Sequence, residues 1–402
     1  LIAHYDILII GGGAAGFFTA INCAEKNPNL KIAILERGKE VLGKVKVSGG
    51  GRCNVTNSCF IPQDLAKNYP RGEKELRGPF HTFCTGDTME WFEKRGVPLK
   101  IEDDGRIFPV SNSSQSIIDC FLNEINKNKI EVITSQAVQS VFKSDTHFKI
   151  DTQNQTYSCQ KLVIATGSNP KIWEILQQLG HTIVSPVPSL FTFNIRDKRL
   201  ENLMGISATV AIKVHQSNLK SDGALLITHW GLSGPAVLKL SAWGAREFFE
   251  KNYQFVITVN WLPHFTEEEI TTELTNLKQT QPKKNIGKKC PFELSNRLWE
   301  SLVKAAEIPD NQNWAAMSKK QMQQLAKQIT GSQFQVNGKS TFKEEFVTAG
   351  GVDLKEIDFK TMQSKLIPNM YMAGEVLNID AITGGFNFQN AWTGGYIISN
   401  NI

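Results

Sequence analysis

The sequence predicts an α/β fold. A parallel, doubly wound sheet is assembled from both ends of the chain and interrupted by an antiparallel β region and a small helical region. Three observations carry this. An unbroken aliphatic run, Ile7 to Ile10, leads into a glycine-rich turn and then an apolar helical stretch. A second unbroken run, Leu162 to Ala165, leads into Thr166-Gly167. From about residue 190 the pattern changes to alternation and then to helical stripes, before aliphatic runs return near the C-terminus.

The first element is a short strand of the kind buried on both faces of a parallel sheet. It is followed by G-x-G-x-x-G as Gly11, Gly13 and Gly16, a helix over Ala14 to Ala24, and a second strand, "KIAILE", ending at Glu36. Strand, turn, helix and strand within about thirty residues, closed by an acid, form a dinucleotide-binding unit. Gly11 allows the sharp turn, Gly13 lets the backbone approach a pyrophosphate, and Gly16 lets helix and strand pack closely. The helix start at Ala14 and Ala15 offers free N–H groups and a partial positive charge to that pyrophosphate. Glu36 can accept both hydroxyls of an adenosine ribose, and Arg37 follows it. A carboxylate there repels a 2′-phosphate, so the ligand is FAD or NAD rather than NADP.

The next segment, "GKVKVSGGGRCNVTN" (43–57), decides between them. It is too polar for a core strand and too rich in glycine for a helix. FAD is longer than NAD, and its flavin end needs extended backbone lying along it. Lys44, Ser48, Gly49, Gly50, Arg52, Cys53 and Asn54 supply N–H groups and cations without bulk. Two later segments agree. One is Ala165, Thr166 and Gly167 after the second buried strand. The other is "NMYMAGEVLNIDAITGGFNFQNA", a strand with Gly374, Glu375, Asp380, Gly384, Gly385 and Phe386, then a helix from about Asn387. That helix start could face the flavin pyrimidine ring, where a dipole favours the reduced, anionic ring.

Taken together, the Gly11–Gly16 turn with Glu36, "GKVKVSGGGRCNVTN", "ATG", "THWGLSGPAVLKLS", "TAGGV" and "MYMAGEVLNIDAITGGFNFQNA" resemble the flavoprotein family that includes aminoacetone oxidases and a bile-acid dehydro-reductase. The resemblance runs along almost the whole chain. It implies a Rossmann-like FAD-binding domain, βαβ with a β-meander, over 1–189 and 349–402. It also implies an inserted antiparallel, barrel-like β domain (190–265 and 333–348) and a small helical domain (266–332). It puts Val138 on the adenine side. It leaves the substrate open. Where family members often carry another glycine-rich run after the "ATG" segment, this chain has "GSNPKIWEILQQLGH", with Ile172, Ile175, Leu176 and Leu179 at helical spacing.

The middle of the chain supplies the remaining elements. Ile118, Leu122 and Ile125 mark a helix and "AVQSVF" (137–142) a strand. Ile206, Ala208, Val210, Ile212 and Val214 share one strand face, as do Phe255, Ile257 and Val259. Thr266 with Glu269 and Ser318 with Gln321 form capping boxes before apolar stripes, and Leu294, Leu298 and Leu302 mark a helix between them. "STFKEEFVTAGGV" reads as a strand leading back to the first domain.

Composition narrows the function. With 402 residues, 41% hydrophobic and 21% charged, the chain is of globular type. A net charge of +5 is too small to argue by itself for nucleic acid or membrane, and the run "KKNIGKK" (283–289) reads as a solvated loop. Tyr5 to Ala24 has the length of a membrane span, but three consecutive glycines break it. Seven cysteines form no C-x-x-C pair, so no structural metal is expected. No signal peptide is evident, and the expectation is reduced thiols in the cytoplasm. Ser233 in "GLSGP" lacks the second glycine of a nucleophile elbow and reads as a helix cap. His229 is a candidate proton donor, though a satisfied histidine at a strand end is the plainer reading.

The expected function is an FAD-dependent oxidoreductase acting on a small molecule, with NADH or NADPH as a transient donor, since no second dinucleotide motif exists. Two rivals remain. One is a flavoprotein that binds or modifies RNA. The other is a dithiol reductase using Cys53 and Cys59, whose C-x5-C spacing departs from the C-x4-C of such enzymes. The catalytic acid and oligomeric state are not legible.

Overall fold

The computed structural model describes residues 2–341 and 347–402. Two compact units emerge: Leu1–Pro188 with Lys343–Ile402, and Ser189–Phe342.

The first unit is built on β1 (Ala3–Ile10), α1 (Ala14–Lys26), β2 (Ile32–Leu35), β3 (Glu131–Ile133), β4 (Thr156–Ile164), β5 (Met370–Met372) and α2 (Phe386–Asn400). The five strands are parallel, in the order β3-β2-β1-β4-β5. Ile7, Leu8 and Ile9 are completely buried, each contributing roughly 1.5–3 kcal/mol of hydrophobic stabilisation. Such continuous burial needs helices on both faces, which is why these strands do not alternate. A meander, Val138–Lys143 and Phe148–Thr152, runs antiparallel onto the first half of β4. The second half of β4 pairs with β5, Ile164 opposite Met372. Two short strands, Ile357–Asp358 and Gln363–Ser364, extend the sheet beyond β5. In this order, β1 and β4 are the neighbours at which the chain crosses in opposite directions, and it is beyond the C-terminal ends of such a pair that open α/β sheets bind ligands in a crevice.

Local expectations hold here with one exception. The helix Gln115–Lys127 buries Ile118, Phe121 and Ile125, while Leu122 turns outward. Phe121 takes its place because it packs against Phe17, Trp91, Phe92 and Trp392. "GSNPKIWEILQQLGH" forms the helix Pro170–Gln178, capped by Asn169.

In the second unit, an antiparallel sheet contains Ser207–Val214, Lys220–Ile227, Gln254–Asn260 and Ser332–Asn337, with Ile212 opposite Val259 and Ile257 opposite Phe334. Phe248 stacks on Phe255 at 4.1 Å between ring centres. The helices Glu267–Thr280, Asn296–Ala305 and Lys319–Thr330 share one core with this sheet. Both capping boxes form. Leu294 precedes its helix, whose cap is Ser295. Ser233 does not cap the helix Pro235–Trp243: Gly234 occupies that position, and Ser233 Oγ accepts a hydrogen bond from Thr192 instead. Val347–Val352 is a strand; residues 342–346 of the expected "STFKEEFVTAGGV" strand lie outside the described residues. Among the described residues, no helix is long and apolar enough to cross a membrane, and no cluster of His, Cys, Asp and Glu could hold a metal ion.

Candidate functional site

The crevice begins at the end of β1. Gly11 N donates to Leu35 O at 2.8 Å, fixing the turn between β1 and β2. A Cβ on Gly16 would lie 2.0 Å from Gly11 O, so only glycine lets α1 start this close to the strand. Gly13 is the opposite case: it is extended (φ −99°), and a Cβ there would meet nothing within 4 Å. Open space therefore lies over the first turn of α1. No side chain caps that turn, and its N–H groups at Ala14, Ala15 and Gly16 carry the positive end of the helix dipole.

Glu36 stands just beyond β2. Its Oε2 accepts from Gly12 N and its Oε1 from Gly38 N, both at 2.8 Å. These two bonds orient the carboxylate and leave it lone pairs for ribose hydroxyls. Gln136 N donates to Glu36 O at 2.9 Å, which brings the buried Val138 and its meander strand alongside. Arg37 is exposed.

The 43–54 segment differs from the extended course expected of it. Gly43–Gly51 winds helically and is broken by non-helical Ser48, Gly49 and Gly50. The helical part forms because Val45 has an apolar site to fill and is almost fully buried. Beyond it, the backbone turns left-handed, and Cβ atoms on Gly43, Gly50 or Gly51 would again meet nothing. Lys44 pairs with Glu375 at 2.5 Å, tying this segment to the turn after β5. Arg52 is directed away from the role of a free cation: Glu102 holds it at 2.6 Å and the Phe108 ring lies 3.9 Å from its guanidinium carbon. Cys53 is fully buried, and burial pushes its thiol up to about 12. With its amide turned to satisfy both ends, Asn54 donates to Thr56 O at 3.0 Å and accepts from Gly385 N at 2.9 Å.

The C-terminal segment closes the crevice. Ala165 N donates to Ile10 O at 2.8 Å, so Ala165, Thr166 and Gly167 continue β4 beside the glycine turn. Gly374 and Glu375 follow β5. A Cβ on Gly385 would lie 2.5 Å from Thr56 O, so Gly384-Gly385 presses the start of α2 against residues 54–56. Asn387 is used locally, accepting from Ala381 N at 3.0 Å. Phe386 is buried edge-on to Tyr69, whose hydroxyl donates to Phe386 O at 2.6 Å. Asp380 is completely buried and ion-paired with Arg71. α1 and α2 run parallel: Gly395 lies against Thr19, and Lys26 donates to Ser399 Oγ at 2.7 Å. Both helix N-termini thus point to the same end, and neither has a side-chain cap.

These features fit FAD. The bare backbone at Gly13, Gly43, Gly50 and Gly51 leaves room for a long ligand, the Glu36 carboxylate is held in a fixed orientation just beyond β2, and two helix dipoles favour negative charge. Sequence reading missed Arg71 and the buried network in which Gln389 Oε1 accepts from Thr56 and Thr88; nothing in the local pattern marks residues that meet across more than 300 positions. All seven cysteines are unpaired, and the half-buried Cys59 also has a raised thiol pKa, chiefly from burial. A dithiol reductase needs an accessible thiolate near neutral pH, so Cys53 and Cys59 do not suit that role. His229 belongs to the second unit, where it is exposed and lines a groove of about 540 Å³ with Arg196, Lys198 and Met204.

Residues 5–401 match the family model of the HI0933-like protein Rossmann domain. The ribosomal RNA dihydrouridine synthase of Escherichia coli (strain K12) is 29% identical, the alignment covering 99% of this chain and 98% of that one. The 3-dehydro-bile acid delta(4,6)-reductase of Clostridium scindens is 25% identical over 97% of each chain. Among solved structures, the 3-ketosteroid-delta4-(5alpha)-dehydrogenase of Rhodococcus jostii RHA1 superposes with a TM-score of 0.51 at 12% identity. That match covers 99% of this chain and 96% of the other and is a likeness of fold. With the family pattern spanning nearly the whole chain, this protein belongs to the HI0933-like family of Rossmann-domain flavoproteins and is an FAD-dependent oxidoreductase.

Proposed function

We propose that this chain reduces a carbon–carbon double bond conjugated to a carbonyl, with NADH or NADPH as the transient electron donor. One observation carries the reading. Two relatives aligned from end to end are named for different substrates but for the same kind of bond. Dihydrouridine is uridine with its ring double bond, conjugated to a carbonyl, saturated. A 3-dehydro Δ4,6 compound carries its double bonds conjugated to the C3 ketone. Neither name describes amine oxidation.

The roles of this chain's residues follow from the crevice. Gly11, Gly13 and the N–H groups at Ala14 to Gly16 would hold the pyrophosphate, and Glu36 the ribose hydroxyls. Residues 43–54 would lie along the flavin side. The start of α2 at Gly385 would place a positive dipole end near the flavin pyrimidine ring. When bound, FAD supplies hydride transfer at its ring nitrogen-5. The Lys44–Glu375 pair ties the two segments flanking that region together and so limits how far they can part. The unpaired thiols support a reducing compartment, the cytoplasm.

The test is anaerobic. Purified protein loaded with FAD is mixed with NADH or NADPH while the flavin absorbance is followed. A steroid 4-en-3-one or uridine is then added. Bleaching by the nicotinamide and recovery on adding the conjugated acceptor are expected. Bleaching by aminoacetone alone, with no recovery on either acceptor, would overturn the proposal.

A further inference from the structure

The chain's excess of positive charge is not evenly spread. Ser189–Phe342 carries 19 Lys and Arg against 13 Asp and Glu, while the remaining residues carry 25 against 26. Within that unit, the run 283–289 exposes Lys283, Lys284, Lys288 and Lys289, none paired with a carboxylate among the described residues. This segment is the solvated loop that its composition suggests, but its backbone is pinned. Ile286 is completely buried, and its carbonyl accepts from the Trp299 indole at 2.7 Å. Ile286 N donates to Gln312 O, and Trp314 N to Lys284 O, at 3.0 and 3.1 Å. Asn285 bridges to Asp310 O and closes its own turn through Gly287 N. Four like charges are therefore held on pinned backbone, with little further ordering needed on contact with a partner.

A second feature lies alongside. The 314–318 segment, bonded to the lysine loop through Trp314 and through Ala315 N to Pro282 O, leads directly into the helix Lys319–Thr330. That helix opens with Lys319 and Lys320 and has no acidic residue in its first turn. Cations at a helix N-terminus meet the positive end of the helix dipole and are disfavoured there. Both are exposed and gain no internal ion pair among the described residues. Two adjacent lysines at an unfavourable position beside four more form a surface suited to a polyanion.

We propose that this lysine face docks the phosphate backbone of an RNA whose base is the reducible group. The inference rests on the reading above, in which a uracil ring is one such conjugated acceptor. It adds what a crevice-sized substrate does not require: a rigid, sequence-indifferent phosphate clamp in a unit with its own core.

The full chain loaded with FAD is titrated with a fluorescein-labelled, uridine-containing RNA hairpin, and anisotropy is read over a series of salt concentrations. Each phosphate contact contributes roughly 0.7–0.9 to the slope of log K against log salt. The quadruple variant K283Q/K284Q/K288Q/K289Q is expected to reduce that slope by about 3, and K319Q/K320Q by about 1.5. Lys213→Gln, an exposed lysine on a strand of the same unit, should leave it unchanged. All substitutions are at exposed positions, so melting temperatures report any loss of fold separately. Absence of binding by the wild type at low salt would overturn the inference, as would an unchanged slope in the quadruple variant. Equal affinity for polyglutamate would overturn the choice of RNA. Wild-type protein that reduces a free enone yet ignores RNA sinks this inference alone; protein that binds RNA yet reduces no conjugated acceptor sinks the function proposed above.

Discussion

Replacing Gly13 and Gly16 separates the crevice from the fold that makes it. Gly13 already has an extended backbone, and a Cβ there meets nothing within 4 Å. Gly13→Val should therefore introduce no clash. Its cost is that of a poorer N-cap, about 0.5–1 kcal/mol, partly offset by a less flexible unfolded chain, about 0.4–1 kcal/mol. The ligand-free variant should melt within a few degrees of wild type. Its isopropyl group, however, projects into the space over the first turn of α1. FAD at 100 times its dissociation constant should stabilise the wild type by about 2.7 kcal/mol and the variant by almost nothing. Gly16→Ala inverts the pattern. Its Cβ would sit 2.0 Å from Gly11 O, a backbone atom, so α1 must shift, at a cost of about 1–3 kcal/mol or more without ligand. The assay is thermal melting with and without FAD, together with flavin retained after desalting. A Gly13→Val protein that retains a full complement of flavin would refute the placement of the pyrophosphate. So would a Gly16→Ala protein that is as stable as wild type.

Three further outcomes are expected. Arg71→Met removes the guanidinium that pairs with the buried Asp380 carboxylate and should cost about 3–5 kcal/mol by denaturant titration, with much of the loss recovered in R71M/D380L. The buried Cys53 thiol titrates near 9.0 unfolded and at about 12 folded, so the folded state holds its proton more tightly. Its contribution is fully present below pH 9 and is lost at about 1.4 kcal/mol per pH unit between 9 and 12, so stability should fall with rising pH there and fall less steeply in Cys53→Ala. Thr266→Ala removes a capping box from the helix Glu267–Thr280 and should cost about 1 kcal/mol, read as a lower melting temperature.

What the sequence made legible was local. The βαβ unit could be read because glycine spacing, aliphatic runs and Glu36 sit within one short window. The capping boxes could be read because their partners lie three residues apart. The alternating strands of the second unit could be read because one face is buried and the other wet. What escaped was of two kinds. Arg71–Asp380 and Thr56–Gln389 join residues more than 300 positions apart, and neither end bears a local mark of its partner. The 43–51 segment was misjudged because four glycines outweigh two valines in any propensity sum, whereas the fold offers Val45 an apolar site and glycine's left-handed freedom is needed only after it. Arg52 was legible as a cation but not as one already engaged by Glu102 and Phe108.

The pairing of β4 with β5 has a consequence for biosynthesis. On the ribosome, Leu162 to Ile164 emerge about two hundred residues before their partners Met370 to Met372, a delay of roughly 10–40 s at ordinary rates of translation. Ser189–Phe342 is contiguous and can fold in that interval, but the aliphatic edge of the nascent sheet must wait bare. Stalled or truncated products would present that edge to one another, so the last thirty-odd residues act as the seal that makes the newborn chain safe from its own neighbours.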